Sequence, residues 1–215
     1  MMASARPGRV ALGVVERLRM LRRRVLFVLS LRVLPRPVAL FVWRAHRHAR
    51  RTADQFSLAS AARPSELAAL LRLARGCSAV VELGTGSAWS AIALALDDPT
   101  RRVISYDPSV RPQRDGYLGL VGADVCDRID LRAEPDSRGP RPDDRQAQLL
   151  FVDSQHERDP VMTAFRVWRD ALAPDAVAVF HDYDHPDYPG VVEAIEDLQL
   201  VGRQEGGLFV WRAQR

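Results

Sequence analysis

From residue 78 onward, short apolar runs alternate with amphipathic stretches. The runs at 79–83, 102–106, 128–133, 148–153 and 176–181 predict strands. The stretches at 87–97, 110–124, 160–172 and 190–199 predict helices. Apolar strands separated by amphipathic helices imply a parallel sheet covered on both faces. The end of the chain breaks this rhythm. Leu200-Val201-Gly202-Arg203, then Glu205-Gly206-Gly207, then Leu208-Phe209-Val210-Trp211 reads as a hairpin with a glycine turn. The expected fold is α/β: a doubly wound sheet, mostly parallel, with an antiparallel C-terminal hairpin strand and an N-terminal helical extension.

That extension has its own pattern. Val14, Leu18, Leu21, Val25 and Val28 recur at helical spacing and predict a helix over 10–31, which Pro35 and Pro37 interrupt. Residues 38–51 predict a second, shorter helix, apolar first and then basic. Residues 52–63 are small and polar, so they read as a linker or a lid, with Thr52 to Leu58 placed to fold over a ligand. Ser65 is expected to cap a helix that runs to Arg75 and stops at Gly76. Residues 134–146 read as a polar surface loop without chemistry. Two units follow: a basic extension, 1–51, and an α/β domain, 52–215.

Charge sharpens the division. Every one of the 31 basic residues is arginine. Residues 1–51 hold 13 arginines and one acid, a net +12, and the remainder holds 18 arginines and 26 acids, a net −8. A basic arm on an acidic domain suggests an anionic partner for the arm. A membrane span over 25–43 is disfavoured. Arg32 and Arg36 would cost about 5–7 kcal/mol together, against roughly 4–7 kcal/mol returned by the twelve Leu, Phe and Val residues of the segment. A helix pair lying on an anionic membrane surface is one reading. Packing on the domain and an oligomer contact are the others. No signal-peptide cleavage pattern follows the apolar run. Cys77 and Cys126 lie far apart without metal-ligand spacing, which fits a reducing, cytoplasmic setting.

The chemistry begins at Glu82-Leu83-Gly84-Thr85-Gly86-Ser87. Gly84 permits a tight turn out of a strand, and Gly86 lets a ligand approach the backbone. The following helix offers free N–H groups to a negative group. A dinucleotide fingerprint would place a third glycine at 89, where Trp89 stands. Asp107 lies 21 residues beyond Gly86 at a strand end. A carboxylate there can accept both hydroxyls of a ribose. These residues outline a pocket for an adenosine-containing cofactor.

Glu82-x-Gly84-x-Gly86 with Asp107 resembles the class I S-adenosylmethionine-dependent methyltransferases, whose sheet is Rossmann-like. Leu150-Phe151-Val152-Asp153-Ser154-Gln155-His156 and Val179-Phe180-His181-Asp182-Tyr183 resemble the branch labelled methyltransferase domain 24. The resemblance covers roughly 52–212. It implies S-adenosylmethionine as cofactor, with Glu82, Gly84, Gly86 and Ser87 around the methionine part and Asp107 on the ribose. It places Asp153 beneath the sulfonium and the acceptor. Ala88 and Asp175 depart from glycines common in the family.

Asp153, His156, His181, Asp182 and His185 should gather at two neighbouring strand ends. One mechanism makes His156 or His181 the general base for an acceptor hydroxyl, with Asp182 in the same catalytic group. The other has Asp153 and Asp182 hold Mg²⁺, as some related O-methyltransferases do. His181 stands against a magnesium site, because that ion prefers oxygen ligands. The implied activity is O-methylation of a small molecule or glycan, in a cytoplasmic or membrane-peripheral protein. A nucleic-acid methyltransferase and a non-catalytic, membrane-associated relative are the rivals. Nucleic acid ranks low because no known nucleic-acid module is present.

Overall fold

The computed structural model describes Arg19, Leu21, Arg22 and residues 25–213. Most of the predicted helix over 10–31 therefore lies outside the described residues. Within them, residues 25–30 are helical and lead through a 3₁₀ turn, Leu31–Val33, into α1, Arg36–Arg51. Pro37 sits in the first turn of α1, where its missing N–H costs nothing.

Seven strands form one sheet: β1 (Ala79–Leu83), β2 (Arg102–Tyr106), β3 (Ile129–Arg132), β4 (Ala147–Val152), β5 (Leu172–Phe180), β6 (Gly202–Glu205) and β7 (Leu208–Arg212). Their order is β3-β2-β1-β4-β5-β7-β6. All pairs among β1 to β5 are parallel, and β7 runs antiparallel between β5 and β6. This is the expected Rossmann-like sheet with its reversed C-terminal hairpin. The strand order turns back at β1, between β2 and β4, and the crevice there is where open α/β sheets bind ligands.

Seven further helices follow α1: α2 (Gln55–Ser60), α3 (Pro64–Leu73), α4 (Trp89–Asp97), α5 (Arg114–Leu118), α6 (Ala123–Cys126), α7 (Arg158–Arg169) and α8 (Pro189–Asp197). Two apolar layers flank the sheet. One joins α1, α3 and α4 to Val80, Val103, Leu149, Phe151 and Val179. The other joins α7 and α8 to Val81, Ile104, Leu150, Ala178 and Phe180. Alternate residues of β4 go to opposite layers, as a strand period of two requires.

Several expectations need correction. The segment predicted as linker is partly helix: the Asp54 side chain accepts from Ser57 N at 3.1 Å and starts α2. The helix expected over 110–124 is two short ones, with Gly119 and Gly122 in the break. Ser65 is not a cap. Instead α3 starts at Pro64, and the Glu66 side chain accepts from Arg63 N at 2.8 Å. Asp175 lies inside β5, beside a register shift, rather than in a turn. The C-terminal part of the basic arm packs on the domain. Val38, Phe41, Val42, Ala45 and Ala49 are buried, and Phe41 meets Trp89 edge-on at 6.5 Å.

Candidate functional site

The loop after β1 is pressed between the ends of β2 and β4. Gly84 N donates to Tyr106 O at 2.8 Å, and Asp153 N donates to Leu83 O at 2.8 Å. Gly84 has φ +100°, and a Cβ there would lie 2.1 Å from the Asp153 carbonyl oxygen. Only glycine fits. Gly86 is different. It also has a positive φ, +48°, yet a Cβ there would meet only the Phe56 ring, at 3.8 Å. Its free side faces a cavity of about 890 Å³, within the size range of small-ligand pockets, about 300–1,000 Å³. Gly84, Gly86, Ser87, Asp107 and Asp153 all line it. Trp89 fills the position of a third glycine with a buried indole against Phe41 and Tyr117.

Asp107 closes β2 beside this loop. It accepts from Gly86 N at 2.9 Å and from Ser109 N at 2.8 Å, and Arg114 lies 3.3 Å away. Arg114 also donates to the carbonyls of Gly86 and Ser109. The carboxylate at the expected ribose position is therefore held rigidly at the cavity wall. Glu82 is placed elsewhere than expected. It is fully buried under the loop, accepts from Ser105 Oγ, and does not line the cavity. Burial pushes its carboxyl up to about 7 against the opposing hydrogen bonds of Ser105 and Ser90. It supports the floor of the loop, with Thr85 Oγ1 and Ser105 Oγ 2.7 Å apart beside it.

The segment read as a linker or a lid places α2 against the glycine loop. Asp54 accepts from Tyr117 OH at 2.6 Å, and Ser57 Oγ hydrogen-bonds Ser87 Oγ. Phe56 projects toward Gly86, and the Arg111 guanidinium lies 3.3 Å from the centre of its ring. A cation and an aromatic face thus cover the glycine loop.

The other half of the cavity is built from side chains. Asp153 ends β4, and His181 and Asp182 follow β5. His181 Nδ1 is 3.0 Å from Asp153 and 3.3 Å from Asp182, and its Nε2 is 3.4 Å from Glu66. These are charge contacts without aligned hydrogen bonds. Burial alone would lower the His181 pKa, but the charge of Asp153, with Asp182 and Glu66, pushes it up to about 12. Three carboxylates thus enclose His181 and favour its protonated form. His156 Nε2 lies 2.9 Å from Asp182, and its ring stacks on Tyr188 at 4.2 Å. His185 stacks on the same tyrosine at 4.8 Å. Asp182 is held well below the usual carboxylate range by His156 and His181, which outweigh its burial.

The same cluster tests the magnesium expectation. Asp153, His181 and Asp182 each offer one donor atom, all within 4.8 Å of one another. One of the three is nitrogen, and that nitrogen is already paired with both acids. Magnesium requires oxygen donors in near-octahedral array. The residues do not fit it, and the His181 cation occupies the place between the two acids.

Several contributors to the cavity escaped sequence reasoning, Arg111 and Tyr188 among them. Glu66 reaches His181 from α3, although its spacing after Arg63 signals only a helix start. Pro135, Asp136 and Ser137 line the cavity from the loop read as lacking chemistry. Asp136 is tied down by Ser154 Oγ and by Trp168 Nε1, which donates to its carbonyl at 2.9 Å.

Residues 81–183 match the family model of the methyltransferase domain. No curated protein matches the chain by sequence. Solved structures of the same fold include the O-methyltransferase TomG from Streptomyces achromogenes, determined with S-adenosylmethionine. It is 21% identical, with a TM-score of 0.62, over 81% of this chain and 90% of that one. An O-methyltransferase from Bacillus cereus in complex with SAH is 15% identical, with a TM-score of 0.61, over 79% of this chain and 90% of that one. A methyltransferase from Geobacter sulfurreducens is 16% identical, with a TM-score of 0.60, over 85% and 91%.

Proposed function

We propose that this chain is a class I S-adenosylmethionine-dependent methyltransferase that methylates a hydroxyl oxygen of a polar small molecule or glycan. The observation that carries the reading is one continuous cavity with the glycine loop and Asp107 on one side and His156 paired with Asp182 on the other. S-adenosylmethionine, when bound, supplies an electrophilic methyl group on a sulfonium centre. Gly86 would leave the backbone open to it, Asp107 would accept from the ribose hydroxyls, and the start of α4 would hold its carboxylate. Phe56 and Arg111 cover it and keep out water.

His156 is the general base. Its Nε2 is buried 2.9 Å from Asp182, in charge contact without an aligned hydrogen bond, so the other ring nitrogen takes the acceptor proton. Tyr188 fixes the plane of the ring. His181 is a positioning residue that holds Asp153, Asp182 and Glu66 in place. The acceptor side is lined by Arg63, Gln155, Asp159 and Thr163, groups suited to hydrogen-bonding a hydroxylated substrate.

The test is transfer of a labelled methyl group to a panel of sugars, glycosides and phenols, with S-adenosylmethionine binding followed by calorimetry. His156→Gln should lower kcat about 10²–10⁴-fold, with cofactor affinity unchanged. A variant with wild-type turnover would remove His156 as the base. Cofactor binding without transfer to any acceptor would favour the non-catalytic rival.

A further inference from the structure

We propose that the helical stretch 25–30 and the outer face of α1 form a docking surface for an anionic lipid bilayer. The surface is a by-product of how α1 divides its faces. Val38, Phe41, Val42, Ala45 and Ala49 point into the domain. Leu40 on the same helix is exposed, and so are Val25, Leu26, Val28, Leu29 and Val33 just before it. Leu26 is 52% and Val33 58% exposed, so these are open aliphatic side chains rather than core margins.

The stretch is attached firmly. Phe27 stacks on His46 of α1 at 4.1 Å, Ser30 Oγ donates to Phe27 O at 2.7 Å, and Leu31 and Leu34 are buried. Its apolar residues are therefore presented outward by a fixed base. Such concentrated exposure of large aliphatic groups marks a surface that meets something apolar.

Charge decides what that something is. Arg22, Arg32, Arg36 and Arg44 are exposed among the apolar residues. Residues 17–51 contain no acid, and residues 1–51 carry a net +12. An interfacial helix combines these features: an apolar face for the acyl boundary and arginines for anionic headgroups. A second copy of the same surface would bring two strongly positive arms together. Single-stranded nucleic acid would use the arginines, but it stacks on aromatic rings, and Leu and Val offer none. No described helix is long and apolar enough to cross a membrane.

The experiment is flotation of the full chain with two kinds of vesicle, neutral phosphatidylcholine and about three parts phosphatidylcholine to one of phosphatidylglycerol. The wild type should float with the anionic vesicles and not with the neutral ones, and about 0.5 M sodium chloride should weaken the binding. Leu26→Glu/Leu29→Glu should lower the partition coefficient at least about tenfold. Val33→Glu should act in the same direction. Val201→Glu, at an exposed position in the C-terminal tail, should not. Unchanged melting temperatures confirm that the variants fold. A wild type that stays at the bottom with anionic vesicles overturns the proposal, as does a double variant that floats undiminished. A wild-type dimer that the double variant dissociates, without vesicle binding, would assign the surface to a second copy instead.

Discussion

The two halves of the cavity are built on different principles. The cofactor side is main chain. Its glycine loop is clamped by backbone hydrogen bonds to β2 and β4, and the half-buried Asp107 beside it is satisfied by two backbone N–H groups and Arg114. The acceptor side is side chain. His181, Asp153, Asp182, Glu66 and His156 converge from three segments and balance one another by charge. A backbone cradle tolerates almost no change of shape. A charge cluster tolerates changes of shape but not of balance, because removing one buried partner leaves the others uncompensated.

The sharpest break of this contrast is Gly84→Ala. The new Cβ would overlap the Asp153 carbonyl, which is backbone and cannot swing aside, and the φ of +100° is unsuited to alanine. We expect a loss of about 4 kcal/mol or more, seen as a fall in melting temperature of about 10 °C. Cofactor binding should fail with it. Gly86→Ala separates ligand contact from turn geometry, because space is open there. It should cost only about 1–2 kcal/mol of stability yet weaken S-adenosylmethionine binding at least about tenfold by calorimetry. Equal stability losses in the two variants would show that both glycines serve only the turn.

On the acceptor side the corresponding change is His181→Gln. Three carboxylates would then face one another without a cation, costing about 3 kcal/mol at neutral pH. The sign of the pH dependence identifies the cause. In the wild type, the raised pKa of His181 gives stability that is complete below its unfolded value of 6.5 and lost only as pH rises through about 12. In the variant, lowering pH from about 7 to 5 protonates the crowded acids and should recover part of the loss. Denaturant melts at the two pH values check it. An unchanged deficit at low pH would mean lost packing rather than lost charge.

The two halves were also unequally legible in the sequence. A glycine loop between apolar strands, with an acid 21 residues on, is a local pattern that forces one geometry, and the structure places Gly84, Gly86, Ser87 and Asp107 on one wall. The charge cluster was half visible. Strand-end residues Asp153, His181 and Asp182 were assembled by the parallel topology, whereas Glu66 arrives from α3, which no spacing rule connects to β5. Asp153 does most to favour the protonated form of His181, with Asp182 and Glu66 adding to it, and only Glu66 of the three comes from outside the two strand ends. Glu82 was misplaced for a related reason. Its position in the motif is local, but which side of the loop its carboxyl occupies depends on Ser105, one strand away. Asp54 and Ser57 stood at cap spacing, and that signal was hidden in a stretch of small polar residues that resembles a linker.

Glu82 turns this into a third prediction. Its pKa is raised from 4.5 to about 7 by burial, so the folded protein holds this proton more tightly than the unfolded chain. Stability from this group is complete below about 4.5 and lost as pH rises through about 7. Glu82→Gln removes that dependence. The variant should match the wild type near pH 4.5 and exceed it at pH 8 by up to about 3 kcal/mol. A variant that is weaker at pH 8 would mean that the ionised carboxylate itself holds the loop, against the cost of its burial.

The smallest expected effect tests the lid. Phe56 is 38% exposed and lies over Gly86 under the Arg111 guanidinium, so little of the core rests on it. Phe56→Ala should leave the melting temperature of the free protein within about 1 °C. It should raise the dissociation constant of S-adenosylmethionine about fivefold, since roughly 1 kcal/mol of apolar cover and cation–π contact is lost over the ligand. Phe56→Leu should restore part of the cover but not the contact with Arg111. Binding that is unchanged in both variants would mean that α2 closes against the glycine loop through Ser57 and Ser87 alone. The aromatic ring would then belong to the acceptor side of the cavity, and the loss would appear in KM for the acceptor.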